Sequence, residues 1–412
     1  MRKLFAAIAC ALACVLCCSA CAGKNASLVA QDGYAFGTLM RWAYVPSEIA
    51  DAEAVRTQLS ARAQAIENDV SGDVFGSSIA AFNAAQAGAK VEVGKDAYEM
   101  LKIAQDVYAE TGAKVEVGKD AYEMLKIAQD VYAETGGAYN PATGLLVDLW
   151  GFSPRHRAAD YAPEKPYDRE NFLEELPDKK YIDAFLQPEM LNFGAVELTE
   201  EDGKYYARKP ADAWVTVEGD ETVYTMQLNL GGIGKGYCAD RAAEIVRAAG
   251  QTHGYFNLGG SSMALFADPT RAGEVWEITV NSPRTTFSDS HYATLRARDA
   301  MLSTSGDYEQ YYEIGGVRYC HIVDPDTGYP VGGGSHVVCA TVVGGTAAAG
   351  DARATALCCM ELYEAQAYAK AHAEEFRVLF VWYDAQEDRY TAYSNLDDWT
   401  LDDSNLHEET IA

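Results

Sequence analysis

Basic residues are scarce in this 412-residue chain, with 33 Lys and Arg against 61 Asp and Glu and a net charge of −28 at pH 7. A surface this acidic repels phosphate, which excludes nucleic acid as a partner and calls for a cation wherever a phosphorylated ligand is held. Cysteine is scarce in the body of the chain. Cys10, Cys14, Cys17, Cys18 and Cys21 crowd the amino terminus, leaving Cys238, Cys320, Cys339, Cys358 and Cys359 in apolar stretches without a CxxC spacing. That excludes a disulfide framework and a zinc centre and predicts buried free thiols. After the first twenty residues no apolar run is long enough to cross a bilayer. The glycine clusters fit neither a P-loop nor a GxGxxG fingerprint.

At the amino terminus Arg2 and Lys3 precede an uncharged apolar stretch over 4–20, the pattern of a signal peptide. Ser19 and Ala20 stand directly before Cys21, and the polar run Gly23-Lys24-Asn25-Ala26-Ser27 follows. This is the form of a bacterial lipoprotein cleavage site with Cys21 as the lipidated first residue; an uncleaved membrane anchor is the alternative. Either arrangement puts the rest of the chain at the extracytoplasmic face of the cell membrane. Cleavage removes two positive charges and no acid, shifting the net charge from −28 to −30. The division expected is a signal peptide over 1–20, a tether over 21–30, one body over 31–395 and an acidic tail over 396–412 that frays.

The segment AKVEVGKDAYEMLKIAQDVYAETG occupies 89–112 and recurs unchanged over 113–136. Two identical copies read as a duplication, since solenoid units diverge and come in threes or more. Each copy predicts a short strand, a turn at Gly94, and a helix capped by Asp96 with Glu99 three positions on. Ala97, Leu101, Ala104 and Tyr108 line its apolar face. A fold built for one copy seats one such helix, so the other copy is expected to stand out from the core. Helical periodicity also covers 46–68, 235–249 and, as two helices, 347–373, while 274–280, 336–343 and 376–382 read as strands. Helices and strands without regular alternation define an α+β protein. The segment 153–188, rich in Pro, Asp, Glu and Lys, reads as a surface excursion.

Several clusters carry chemistry. Gly136-Gly137-Ala138-Tyr139-Asn140-Pro141-Ala142-Thr143-Gly144 runs on to Trp150-Gly151-Phe152 and sets bare amides beside aromatic surface, suited to a flavin or adenine ring; a plain turn over a buried Trp is the alternative. Asn229-Leu230-Gly231-Gly232-Ile233-Gly234-Lys235-Gly236-Tyr237 opens a helix, where free amides and a Lys form a cradle for phosphate. Asn257-Leu258-Gly259-Gly260-Ser261 is either a second such loop or a tight strand connection. Ser303-Thr304-Ser305-Gly306-Asp307-Tyr308, followed by His321-Ile322-Val323-Asp324-Pro325-Asp326-Thr327-Gly328-Tyr329-Pro330, gathers one His, carboxylates and hydroxyls on short turns, where a base and hard-metal ligands are held close together. Asp351 and Thr355, four apart, fall on one helix face from which both reach one Mg2+; an Asp cap with an inward Thr is the alternative.

Taken in order, FGT from Phe36, GGAYNPATG with WGF, NLGGIGKGY, NLGGS, TSGDY, HIVDPDTGYP and GDARATAL resemble the ApbE family of FAD:protein FMN transferases, over roughly 36–360. The resemblance implies an α+β, ApbE-like and T-fold-related body of mixed sheets with flanking helices, single and compact. It implies Mg2+ held by Asp351, Thr355 and the Gly232 carbonyl. It places FAD against Phe36, Ala138, Tyr139, Asn140, Asn229 and Lys235, and makes His321, as base, and Asp324 the catalytic residues. The activity implied is transfer of FMN from FAD to a Thr or Ser hydroxyl of an exported target protein, with release of AMP. The chain departs from the family pattern at Asn229, where Asp is usual, and at Phe36, where Met is usual. Hydrolysis of FAD to FMN and AMP at the same site, and flavin binding without turnover, are the competing readings.

Overall fold

The structure, a computed structural model, describes residues 27–72, 74, 76–85, 114–152, 176–220, 222–284 and 290–411. Its centre is a nine-stranded sheet whose spatial order follows the chain: Val29–Ala35, Thr38–Tyr44, Gly254–Leu258, Ser262–Leu265, Met301–Gly306, His336–Val343, Arg377–Asp384, Arg389–Ser394 and His407–Thr410. Neighbours are antiparallel except the last, which runs parallel to Arg389–Ser394.

His336–Val343 reads as a nearly unbroken apolar run because both of its faces are covered. Val337, Ala340 and Val342 join one buried cluster with the helices Gly234–Ala248 and Ala347–Cys358. Val338 and Cys339 join another with Val280, Tyr292 and Leu295, from a small sheet of Trp276–Asn281, His291–Ala297 and Trp399–Leu401. A bulge between Val337 and Cys339 shifts the register there. Mixed sheets with flanking helices make this the α+β body that the sequence predicts.

Small residues let the two helices approach. A Cβ on Gly236 would lie 2.1 Å from the Ala347 carbonyl oxygen, so Gly234–Ala248 reaches the start of Ala347–Cys358 only with glycine there. The helix Ala52–Val70 is capped by Asp51, which accepts from the Ala54 amide at 2.9 Å, and buries Val55, Leu59, Ala63, Ile66 and Val70 at helical spacing.

The second repeat copy fills the core. It supplies the strand Lys114–Val117, paired with Lys204–Arg208, and the helix Lys119–Glu134, which buries Ala121, Met124, Leu125, Ala128 and Val131. Truncating Met124 or Leu125 to Ala is expected to cost about 2–5 kcal/mol. The copy over 89–112 lies outside the described residues. The Asp cap predicted for the repeat is not used in the described copy. Gly118 stands at the cap, and Asp120 instead pairs with Arg62 and accepts from the Tyr237 hydroxyl at 2.9 Å.

Other expectations change. The acidic tail does not fray, because Trp399–Leu401 pairs with His291–Ala297, His407–Thr410 closes the main sheet, and Asp403 and Leu406 are buried. Of the expected surface excursion, 153–175 lies outside the described residues, while the helix Lys179–Phe185 buries Ile182 and Phe185. The export segment with Cys21 also lies outside them. Cys238, Cys320, Cys339 and Cys358 are buried free thiols and Cys359 is half-buried. Burial pushes Cys238, Cys320 and Cys339 up to about 12, which keeps them unreactive. Among the described residues no helix is long and apolar enough to cross a membrane.

Candidate functional site

Two helices cap each other. From Gly234–Ala248 the buried Asp240 carboxylate accepts from the Ala347 and Ala348 amides at 2.8 and 2.9 Å. From Ala347–Cys358 the buried Asp351 carboxylate accepts from the Gly236 amide at 3.0 Å. Each carboxylate therefore meets the positive end of the other helix. Burial raises both carboxyls above their usual range; the Ala348 and Ala347 amides oppose this at Asp240, and the Lys235 ammonium and the Gly236 amide oppose it at Asp351.

Thr355 sits one turn beyond Asp351. Its hydroxyl donates to the Asp351 carbonyl at 3.1 Å and lies 3.2 Å from the Ser305 hydroxyl. A Cβ on Gly232 would stand 2.9 Å from Thr355 Oγ1 and 3.4 Å from Cε2 of Tyr139, so glycine is what lets these two side chains pack so closely on the loop. Tyr139 is buried, and among the described residues its hydroxyl has no hydrogen-bond partner. Burial, with the nearby Asp351 charge, raises this phenol well above its usual value. Thr355 thus neighbours both Asp351 and Gly232, and the carboxylate, hydroxyl and carbonyl of these three residues are hard oxygen donors of the type that Mg2+ takes.

The residues expected against FAD surround this locus. Phe36 holds a left-handed conformation (φ 51°) at the first hairpin turn, and its Cε1 lies 3.3 Å from where a Gly234 Cβ would be. The Asn229 side chain accepts from the Gly231 amide at 2.7 Å, and its own amide donates to the Pro141 carbonyl at 2.8 Å. That second bond ties the Gly232 loop to the Tyr139 turn. Asn140 braces the same turn, accepting from the Ala142 amide at 2.9 Å and donating to the Leu191 carbonyl at 2.8 Å; Ala138 packs half-buried against the core.

The amide cradles predicted from the glycines are largely filled by the chain itself. The amides of Gly231, Ile233, Gly234 and Gly236 donate to Asn229, Leu230, Leu230 and Asp351, and those of Gly137, Ala138 and Tyr139 fold back onto Tyr132 and Thr135. Positive charge for a phosphate therefore falls to the Lys235 side chain, close enough to Asp351 to act on its carboxyl. Asn257–Ser261 is the tight strand connection, with Gly259 against Thr38 and the Gly260 amide donating to Asn257 at 2.8 Å.

A cavity of about 570 Å³ lies between the Asn140 turn and the Pro325-Asp326 turn, with Tyr132, Gly137, Leu191 and Asp212 also in its walls. Trp150 links the two sides. Its Nε1 donates to the Gly328 carbonyl at 2.7 Å, and the Tyr319 and Tyr329 rings are each centred 5.3 Å from its own. His321 is half-buried in this loop, with Nδ1 3.4 Å from the Gln310 carbonyl and its ring edge-on to Phe152. A carbonyl only accepts, so a hydrogen bond here puts a proton on Nδ1.

Asp324 is committed to its own turn, accepting from the Asp326 amide and the Thr327 hydroxyl, both at 2.9 Å; burial raises its carboxyl against those bonds. Its charge and that of Asp326 act on the Cys359 thiol, at the end of Ala347–Cys358 and one turn past Thr355. Asp307 is buried in ion pairs, taking two bonds of 2.6 Å from Arg284 and one of 2.9 Å from His336. The polar cluster that the sequence groups as base plus metal ligands therefore divides. Asp307 and Asp324 build structure, Ser305 joins Thr355, and His321 stands beside Gln310 and Phe152.

Sequence reasoning missed Asp240 and Arg353. Arg353 lies between Asp351 and Thr355 but turns away and grips Glu134, with Nε to Oε1 at 2.7 Å and NH2 to Oε2 at 3.2 Å. Glu134 ends the helix that leads into the Tyr139 turn, so this pair couples that turn to the Asp351 helix. Glu134, His372 and Glu375 have metal-ligand spacing, yet the Arg353 guanidinium already serves both carboxylates as their cation.

Fold and site together define an α+β protein whose oxygen-rich centre hangs on two reciprocally capped helices. A sequence profile of the ApbE family matches residues 109–380, more than half of the chain, and the chain belongs to that family. The FAD:protein FMN transferase of Vibrio cholerae serotype O1 is 29% identical over 245 residues, covering 60% of this chain and 61% of that protein. The Escherichia coli K12 protein of the same name is 27% identical over 221 residues, covering 54% of this chain and 53% of that protein. The chain spans about half the length of the curated relatives it matches. Among solved structures, flavin transferase ApbE from Vibrio cholerae superposes with a TM-score of 0.63 at 22% identity, over 89% of this chain and 97% of that one. The ApbE protein of Thermotoga maritima superposes with a TM-score of 0.60 at 21% identity, over 88% and 96%. These likenesses are of fold.

Proposed function

We propose that this chain moves FMN from FAD onto a Thr or Ser hydroxyl of an exported target protein, with Mg2+ as cofactor and AMP as the second product. The observation that carries the reading is the closeness of Thr355 to both Asp351, one helical turn before it, and the Gly232 loop. Relatives that bear the name FAD:protein FMN transferase support it. Mg2+ held by Asp351, Thr355 and the Gly232 carbonyl supplies charge neutralisation of the FAD diphosphate.

The chain's own residues do the rest. Lys235 offers a second positive charge to the diphosphate, and Phe36, Ala138, Tyr139, Asn140 and Asn229 form the walls that orient the dinucleotide. His321 takes the proton of the target hydroxyl. That oxygen forms its bond to the FMN phosphorus as the bond between this phosphorus and the AMP oxygen breaks. Cys21 carries the lipid that holds the enzyme at the extracytoplasmic membrane face, where exported targets are met.

Incubation with FAD, Mg2+ and a target domain should add the mass of FMN to the target and release AMP. FMN and AMP without a mass gain mean that water is the acceptor, and neither product means a binding protein. Asp351→Ala should abolish transfer; unchanged turnover with undiminished Mg2+ dependence would show that the metal is elsewhere. Cys21→Ser should move the protein from the membrane to the soluble fraction, and retention at the membrane would refute lipid anchoring.

A further inference from the structure

Tyr139 presents a contradiction that its ring alone does not resolve. The side chain is 3% exposed, and among the described residues its hydroxyl has no hydrogen-bond partner. Phenylalanine would fill the same volume without stranding a polar atom in the interior. The hydroxyl is also not in an arbitrary place. Cε2, the ring carbon next to the one that bears it, lies 3.4 Å from where a Gly232 Cβ would be, and Thr355 Oγ1 lies 2.9 Å from the same point. The other atoms left in the same condition include Ser262 Oγ and Arg208 Nε.

We infer that the Tyr139 hydroxyl is a built-in donor that bonds an oxygen arriving with the ligand, so that the site is completed only when it is loaded. The inference rests on the proposed metal and diphosphate reading and adds to it a role for one atom. A phenol donates one proton and accepts through its oxygen. The oxygens of Asp351, Thr355 and Gly232 are suited to a cation, whereas this O–H, like the Lys235 ammonium near Asp351, can donate to a ligand oxygen. That oxygen belongs either to the diphosphate or to a water held by the metal, and the two sources share the same chemistry.

Tyr139→Phe removes this atom and nothing else. The full chain in detergent would be compared with the variant by thermal unfolding without ligand, and by calorimetry with three probes: Mg2+ alone, FAD with chelator, and FAD with Mg2+. The expected result has two opposite signs. The melting temperature stays level or rises by about 2 °C, because a stranded polar atom is gone. Affinity for at least one probe falls about tenfold, the worth of one hydrogen bond to a charged acceptor. Loss with Mg2+ alone assigns the partner to metal-held water, and loss only in the FAD arms assigns it to the diphosphate.

Equal affinities in all three arms would overturn the inference while leaving the functional reading intact. A fall in melting temperature, whatever the affinities, would overturn it by showing that the hydroxyl is already bonded inside the protein. If the unaltered chain takes up neither Mg2+ nor FAD, the functional reading and this inference fall together.

Discussion

Arg353→Met tests whether the tie between the Asp351 helix and the Tyr139 turn matters. Arg353 is 8% exposed, and the Glu134 side chain 20% exposed. The substitution removes two charge-assisted bonds and a guanidinium that sits 4.3 Å over the Phe376 ring. Breaking a buried ion pair costs about 3–5 kcal/mol through the charge left behind. Glu134 keeps its 2.6 Å bond from the Tyr368 hydroxyl and part of its hydration, so the expected loss is nearer about 2–3 kcal/mol. Glu134→Gln leaves Arg353 its second carboxylate, Glu375 at 3.4 Å, and should cost about 1–2 kcal/mol. The double variant should lose less than the two losses combined, by about 1–2 kcal/mol.

Urea unfolding of the four proteins without ligand measures all of these, and additivity within about 0.5 kcal/mol would refute the coupling. The pH dependence has a definite sign. Burial raises the Glu134 carboxyl, but bonds from Arg353 and Tyr368 outweigh it and hold the folded value below the unfolded 4.5. The pair's contribution is therefore present above pH 4.5 and is lost as the pH falls through the folded value, so Arg353→Met should flatten the acid limb of the stability curve.

Lys209 is buried with its ammonium on the Asn83 and Ala85 carbonyls and the Thr225 hydroxyl, at 3.3, 3.2 and 3.1 Å, and burial lowers it to about 7. Between that value and the unfolded 10.5 the unfolded chain binds the extra proton, so stability should rise with pH from 7 to 10. Lys209→Met should lack this rise, and parallel melting curves for the two proteins would refute the assignment. Deletion of 89–112 should leave the melting temperature within about 2 °C, because the second copy already supplies the core strand and helix. A larger fall would show that both copies are integrated.

What the sequence disclosed depended on how local the cause was. His336–Val343 was legible residue for residue because burial on both faces leaves an apolar run between glycines. The spacing of Asp351 and Thr355 placed them on one helix face, since four residues make one turn. The glycine clusters marked turns correctly, but their amides were misjudged. Whether an amide is free depends on partners such as Asp351, 115 positions from Gly236. Asp240 was missed for the same reason, its amides lying 107 and 108 positions away. Asp307 looked like a metal ligand and Asp324 like a catalytic group because composition does not reveal that one is claimed by Arg284 and the other by its own turn. The tail was judged by its acids, whereas Leu406 and Ile411 were the residues that dock it.

The order of the nine strands has a consequence for how the molecule is made. Thr38–Tyr44 finds its second neighbour only at Gly254–Leu258, so the ribosome adds about 210 residues, some 10–40 s of elongation, before that partner exists. Until then Trp42, which stacks on Tyr44 beside it, lacks the Gln251 acceptor that it reaches at 2.6 Å in the finished protein. The nascent chain therefore carries an unpaired strand edge until synthesis passes Leu258.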